Sequence, residues 1–219
     1  ASITEQGNPY IFRTSFTQAT AMPKVARYIS DQAKLKSIAI IYVNNDFGKG
    51  GQATIKGLLA TGPTQIVTEI STESGQVDFS AAVIQARQSG ADALFAYTNE
   101  EESARLLREL RKQNWNKPVI GETVLTSAKV VELAGEASNG AVAHVGLTVE
   151  APQLQAFGRR YQAEFKTVSD HNGVKGYTAV YVLKAAIEKS GKVDRKAAAA
   201  AIRNSCFSAK QHPGILMDV

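Results

Sequence analysis

Apolar runs of five to seven residues alternate along this chain with longer segments in which apolar positions recur every three or four residues. The clearest case is Ser37 to Val43, an almost uninterrupted apolar run that leads into Asn44-Asn45-Asp46-Phe47-Gly48-Lys49-Gly50-Gly51. A run of this kind suits a parallel strand buried on both faces, and in open α/β sheets ligands bind beyond the carboxyl ends of such strands. Phe47 is therefore expected at a ligand rim, displayed on a turn. Before this strand, Pro9 to Thr14 reads as a short strand, and Met22, Val25, Ala26 and Ile29 recur at helical spacing with Pro23 in the first turn. After it the pattern predicts a helix over about 50–60, a strand at Gln65 to Ile70, a helix at Phe79 to Gln88 and a strand at Ala91 to Tyr97. A helix capped by Thr98 or Asn99 and reaching about Gln113 follows, then a strand at Pro118 to Gly121, a helix at Ser127 to Ala134 and a strand at Ala141 to Val145. Repeated βα units with short connections imply an α/β fold, a doubly wound parallel sheet covered by helices on both faces.

The texture changes after Leu147. Helices are expected at Leu154 to Lys166, Val174 to Ser190 and Arg195 to Arg203, and Ile215 to Val219 is strand-like. Residues Tyr177 to Ile187 are apolar around most of the helix circumference, which predicts burial on more than one side. Few strands remain in this part of the chain to provide that burial.

Composition adds bounds. The 219 residues are 44% hydrophobic and 21% charged, ordinary for a globular protein of one or two domains. No run approaches the roughly 20 apolar residues of a membrane span, and no basic-then-apolar leader opens the chain, which is expected of a cytosolic or a processed protein. The net charge of +5 raises the question of nucleic acid. The basic residues are scattered, however, and Arg105, Arg108, Arg111 and Lys112 fall opposite Leu106, Leu107 and Leu110, so a solvated helix face is the reading and no nucleic-acid partner is expected. A single cysteine, Cys206, excludes an intramolecular disulfide.

The candidate chemistry is that of binding. His144, His171 and His212 share no metal-ligand spacing with each other or with the cysteine, and no nucleophile elbow, phosphate loop or dinucleotide fingerprint occurs, so neither metal, cofactor nor enzymatic activity is expected. Glu100, Glu101 and Glu102 lie in a first helical turn, where negative charge is favourable beside unpaired backbone N–H groups. Asp46 and Asp78 read as turn or cap residues, with Asp46 close enough to the rim to stay a candidate contact. Trp115, Tyr177 and Tyr181 read as packing residues.

Taken in order, Pro9-Tyr10-Ile11-Phe12-Arg13-Thr14-Ser15, Val43 to Gly50, Asp78-Phe79-Ser80, Gly90-Ala91-Asp92-Ala93-Leu94, Gly121-Glu122-Thr123 and His212-Pro213-Gly214-Ile215-Leu216-Met217-Asp218 resemble the leucine/isoleucine/valine-binding proteins. These are solute-binding receptors of ABC importers, with a type I periplasmic binding fold. The resemblance runs along nearly the whole chain. It implies two doubly wound lobes with ligand trapped between them by hinge closure. Residues 14–147 would form one ligand-binding lobe, and residues 1–13 and 148–219 a crossing segment and the return portion of another, incomplete lobe. The family's opening portion and its C-terminal extension have no counterpart, so the chain reads as a fragment, with self-association expected through its uncovered helices.

The resemblance also implies site residues. Phe47 matches a position where the family sets an aromatic ring against the ligand, the alternative being a staple that packs the turn. Asn99 matches another contact position and reads equally as a helix cap, with Tyr97 beside it at the strand end. Thr123 stands where amino-acid-binding members use a carboxylate for the ligand's ammonium group, and Glu122 is one residue earlier. A threonine hydroxyl makes only a neutral bond, about half as strong as a charge-assisted one, so contact through Thr123 would favour a carboxylate ligand without a free amino group. An amino acid of branched-chain type or a related small carboxylate is the expected ligand, an ABC permease the expected partner and the periplasm or another extracytoplasmic space the expected location. The effector domain of a repressor or a signalling receptor of the same fold is the alternative.

Overall fold

A computed structural model describes residues 2–147 and 151–216. The chain divides into two compact units, one of Thr17–Gly146 and one of Ser2–Phe16 with the described residues of Leu147–Val219.

The first unit alternates helix and strand throughout: α1 (Gln18–Arg27), β1 (Ser37–Val43), α2 (Asp46–Leu59), β2 (Gln65–Thr72), α3 (Ser80–Gln88), β3 (Ala93–Tyr97), α4 (Glu100–Lys112), β4 (Val119–Gly121), α5 (Ala128–Ala134) and β5 (Ala141–Ala143). The five strands form one sheet in the order β2-β1-β3-β4-β5, parallel at every pairing. This is the doubly wound parallel sheet that the alternation predicts. Alternate residues of each strand face opposite sides. Ala39, Ile41, Leu94 and Ala96 join a core with Val83 of α3, Leu106, Leu107 and Leu110 of α4, and Val130 of α5. Phe95 and Tyr97 face the other side, where α1 and α2 pack together. Trp115 is buried in the first of these cores.

Pro23 is the sixth residue of α1, not a first-turn residue, because the helix begins earlier, at Gln18, where the Thr17 hydroxyl accepts from the Thr20 N–H. α2 likewise starts at Asp46, before the expected residue 50, since the Asn45 side chain accepts from the Gly48 N–H at 2.9 Å.

The second unit is helical: α6 (Pro152–Phe165), α7 (His171–Ser190) and α8 (Arg195–Arg203). Pro9 to Thr14, expected as a strand, is turn and irregular backbone. Side chains of its own unit hold it in place of a ladder. Arg203 donates to the Pro9 carbonyl at 3.0 Å, the Arg195 guanidinium lies 4.5 Å from the Tyr10 ring centre, and the Thr14 hydroxyl donates to the Lys175 carbonyl at 3.2 Å. Ile215 and Leu216 are not in a strand either. Both are buried among helices, with the Leu216 N–H directed at the Thr178 hydroxyl, and Met217 to Val219 lie outside the described residues. The expectation that α7 is buried on more than one side is not met. Val174, Thr178, Val182, Ala185 and Ala186 form a buried stripe, while Val180 and Leu183 on another face are 66% and 48% exposed.

Candidate functional site

The strand order creates one special position in the first unit. From β1 the chain passes outward to β2 and then returns to place β3 on β1's other side, so the connections after β1 and β3 leave in opposite directions. In doubly wound sheets the crevice outside the carboxyl ends of such a strand pair is where ligands bind. The residues that follow β1, β3, β4 and β5 are Asn44 to Phe47, Thr98 and Asn99, Glu122 and Thr123, and His144. Of the residues named above as candidate contacts, Asp46, Phe47, Asn99, Glu122 and Thr123 thus belong to one rim, and Tyr97 is the last residue of β3, behind it.

Phe47 is the second residue of α2 and is half-buried. Its ring lies 4.5 Å from that of Tyr97, tilted by 41°. Tyr97 itself is 1% exposed and stands behind Phe47, so it serves as a support rather than an open surface. Burial pushes the Tyr97 hydroxyl well above the usual tyrosine range, opposed by a hydrogen bond from Gln18 and reinforced by the charge of Glu122. The phenol is neutral.

Two glycines make this arrangement possible. A Cβ at Gly51 would fall 2.4 Å from the Tyr97 ring, and one at Gly50 would fall 2.7 Å from the Gln18 amide oxygen. The glycine-bearing turn is therefore a seat for two side chains that arrive from β3 and α1.

Asn99 occupies the N-cap position of α4 but makes no side-chain cap bond. Its amide donates instead to Glu102 Oε1 at 3.0 Å, and the same oxygen accepts from the Gly75 N–H at 2.7 Å. Burial acts to raise the Glu102 pKa, but the hydrogen bonds from Gly75 and Asn99, with the charge of Arg105, hold the carboxyl below its usual value. Arg105 also donates to the carbonyl of Gln76 at 3.0 Å, which ties the loop after β2 to α4 and gives this arginine a structural task. Arg108, Arg111 and Lys112 are exposed.

Thr123 is buried, and its hydroxyl donates to the His144 carbonyl at 2.9 Å. Glu122 accepts from the Val124 N–H at 2.9 Å through Oε2, capping a short 3-10 turn, while Oε1 lies 3.7 Å from His144 Nε2. Asp46 is exposed in the first turn of α2, where Asn45 does the capping. Asp78 accepts from the Ser80 N–H at 2.8 Å, as a turn residue would. Among the described residues no group of three or more His, Cys, Asp or Glu could hold a metal ion.

Two rim residues escape a reading by motif. Gln18 opens α1 with no pattern of its own, and the signal for it is indirect, since adjacent glycines on a helix face mean that something large packs there. His144 is conspicuous only as a histidine without metal-ligand spacing, yet its ring and carbonyl border both Glu122 and Thr123.

The second unit has its own opening of about 500 Å³ between α6 and α7, lined by Phe157, Tyr161, Phe165, Gly173, Tyr177 and Val180. Tyr177 stacks on Phe157 at 4.9 Å and on Tyr181 at 4.7 Å.

Residues 1–214 match the family described as periplasmic binding protein. The chain is 24% identical over 206 residues to the leucine-, isoleucine-, valine-, threonine- and alanine-binding protein of Pseudomonas aeruginosa, which covers 94% of this chain and 55% of the relative. Its fold matches the crystal structure of the leucine binding protein LivK from Thermotoga maritima with a TM-score of 0.84 at 22% identity, over 93% of this chain and 59% of that one. It also matches a solute binding protein of an ABC transporter from Rhodopseudomonas palustris BisB5, solved in complex with 3,4-dihydroxybenzoic acid, with a TM-score of 0.84 at 22% identity, over 100% of this chain and 62% of that one. The chain spans about half the length of the curated relatives it matches.

Proposed function

The chain belongs to the periplasmic binding protein family, and from that premise we propose that it is part of a solute-binding receptor that delivers a small organic carboxylate, α-amino acids included, to an ABC permease outside the cytoplasm. The observation that carries this reading is the rim: Phe47, Asn99, Glu122 and Thr123 follow the carboxyl ends of three neighbouring parallel strands, at the point where the chain reverses direction across the sheet. Phe47 offers a flat apolar surface with little rotamer entropy to lose, and Asn99 can donate and accept. Residues 17–146 would then supply one ligand-binding wall, with Phe47, Asn99, Thr123 and Glu122 as its contacts, Asp46 at its edge and Tyr97 behind.

The chemistry beside β4 bears on the ligand class. One oxygen of Glu122 is engaged by a backbone N–H and the other faces His144, while the Thr123 hydroxyl proton is given to a carbonyl. An ammonium group would have to compete with these partners for the Glu122 carboxylate. With its proton given away, the Thr123 oxygen can only accept, so this corner suits a ligand N–H or O–H donor, and a ligand carboxylate belongs elsewhere on the rim, away from the Glu122 charge. The relatives include proteins named for branched-chain amino acids and one solved with a dihydroxybenzoic acid, which bracket the same range.

Binding without turnover is the mechanism proposed. A ligand favours a closed form only by the excess of its contacts there over those in the open form. Equilibrium dialysis of the 219-residue chain against millimolar α-amino acids, small carboxylates, sugars and nucleotides tests the reading. Saturable binding of a carboxylate of amino-acid size supports it, and saturable binding of a sugar or nucleotide alone contradicts it.

A further inference from the structure

Gln18 is assigned no role by any motif, yet it hydrogen-bonds both the Phe47 backbone and the Tyr97 hydroxyl. Its Nε2 lies 3.0 Å from the Phe47 carbonyl oxygen and 3.1 Å from Tyr97 Oη. The carbonyl can only accept, so the amide must present its NH₂ end to it. That orientation directs a second N–H at the tyrosine oxygen. The amide oxygen then occupies the space left by the missing side chain of Gly50.

We infer that Gln18 is a positioning residue for ligand recognition, bracing the Phe47 backbone against Tyr97 so that the Phe47 ring keeps one orientation at the rim. The inference rests on the reading of Phe47 as a ligand contact. Phe47 sits in the first turn of α2, where the backbone N–H groups have no helical acceptor and fraying begins, and the bond from Gln18 to the Phe47 carbonyl adds a tie from outside the helix. Gln18 fastens that turn to the end of β3 from a different helix. The Tyr97 ring, seated on Gly51 and 4.5 Å from the Phe47 ring, completes the brace from below. A side chain held on both sides loses little freedom when a ligand arrives, and an unbraced ring must be ordered at that moment.

The test uses the 219-residue chain with Phe rings labelled for NMR relaxation, and titrations with L-leucine and with 3,4-dihydroxybenzoate as probes. Gln18→Glu keeps the size of the side chain but at neutral pH has no N–H to donate. Gln18→Ala, Tyr97→Phe and the double variant complete a cycle, and Phe47→Ala serves as the control for the ligand reading. Expected are a more mobile Phe47 ring in Gln18→Glu and Gln18→Ala without ligand, a thermal midpoint close to that of the unsubstituted chain, and an affinity for whichever probe binds lowered about three- to tenfold, the effect of losing one neutral hydrogen bond. The double variant is expected to lose less than the sum of the single effects, because the two residues act as one unit. An unchanged Phe47 ring in both Gln18 variants overturns the inference, whether or not a probe binds. So do strictly additive losses in the cycle. If Phe47→Ala leaves probe binding intact, the reading of Phe47 as a contact fails, while ring relaxation still decides the role of Gln18.

Discussion

At the scale of single residues, the rim is defined by what surrounds Phe47 more than by Phe47 alone. The ring is half-buried on the first turn of a helix, and its support comes from Tyr97, Gln18 and two glycines that make room for them. Gly51 gives a sharp test of this arrangement. Gly51→Ala sets a methyl 2.4 Å from the Tyr97 ring, which cannot swing away because it is 1% exposed and in contact with the Phe47 and Phe95 rings. Overpacking of this kind costs about 1–3 kcal/mol. Although alanine favours the helix by up to about 1 kcal/mol over glycine, the clash is expected to win. Urea unfolding should show a lower midpoint for Gly51→Ala than for Gly57→Ala, since Gly57 lies on the same helix with open space around it. Equal midpoints would contradict the seating of Tyr97 on α2. Phe47 is legible from the sequence as a rim position because a long apolar run ending in polar residues marks a strand end, and Asn99 through the family resemblance, where it reads equally as a helix cap. The Gln18 brace is not legible, because a hydrogen bond between residues 29 and 79 positions apart leaves no trace in local periodicity.

At the scale of elements, strand positions in the first unit follow from short continuous apolar runs and helix positions from the 3.6-residue period, while the right-handed βα crossover sets which face of the sheet each helix covers. The sequence reading failed where an element depends on partners instead of on its own pattern. Pro9 to Thr14 has the residues of a strand and no ladder neighbour among the described residues, so its backbone is held by arginine and threonine side chains. The apolar surface of α7 exceeds what its own unit covers. The loop after β2 illustrates an element fixed by one buried charge, because Glu102 accepts from Gly75 and its neighbour Arg105 grips the Gln76 carbonyl. The folded pKa of Glu102 is depressed below the ordinary 4.5, so the stability it contributes is full above that value and is lost as pH falls through the lowered folded value. Glu102→Gln is therefore expected to lower the thermal midpoint at neutral pH and to narrow its difference from the unsubstituted chain in acid. Parallel midpoint-against-pH curves for the two proteins would refute the role given to this carboxylate.

At the scale of the whole molecule, the family follows from a match over nearly the entire chain, while the ligand and the permease remain proposals built on the rim. The energetic consequence of spanning about half the length of the relatives can be bounded. A micromolar ligand has about −8 kcal/mol of binding free energy, and if one wall supplied half of it, about −4 kcal/mol would remain, which is near millimolar. Residues 17–146 are thus expected to contact ligand weakly and in the right place. The direct test is an NMR titration of the 219-residue chain with a panel of α-amino acids and aliphatic and aromatic carboxylates, following the backbone amides of Phe47, Asn99 and Thr123. The account predicts that at least one member shifts these three together, in fast exchange and saturating only near millimolar concentration. Shifts confined to α6 and α7, or no shift at the rim with any member of the panel, would contradict it.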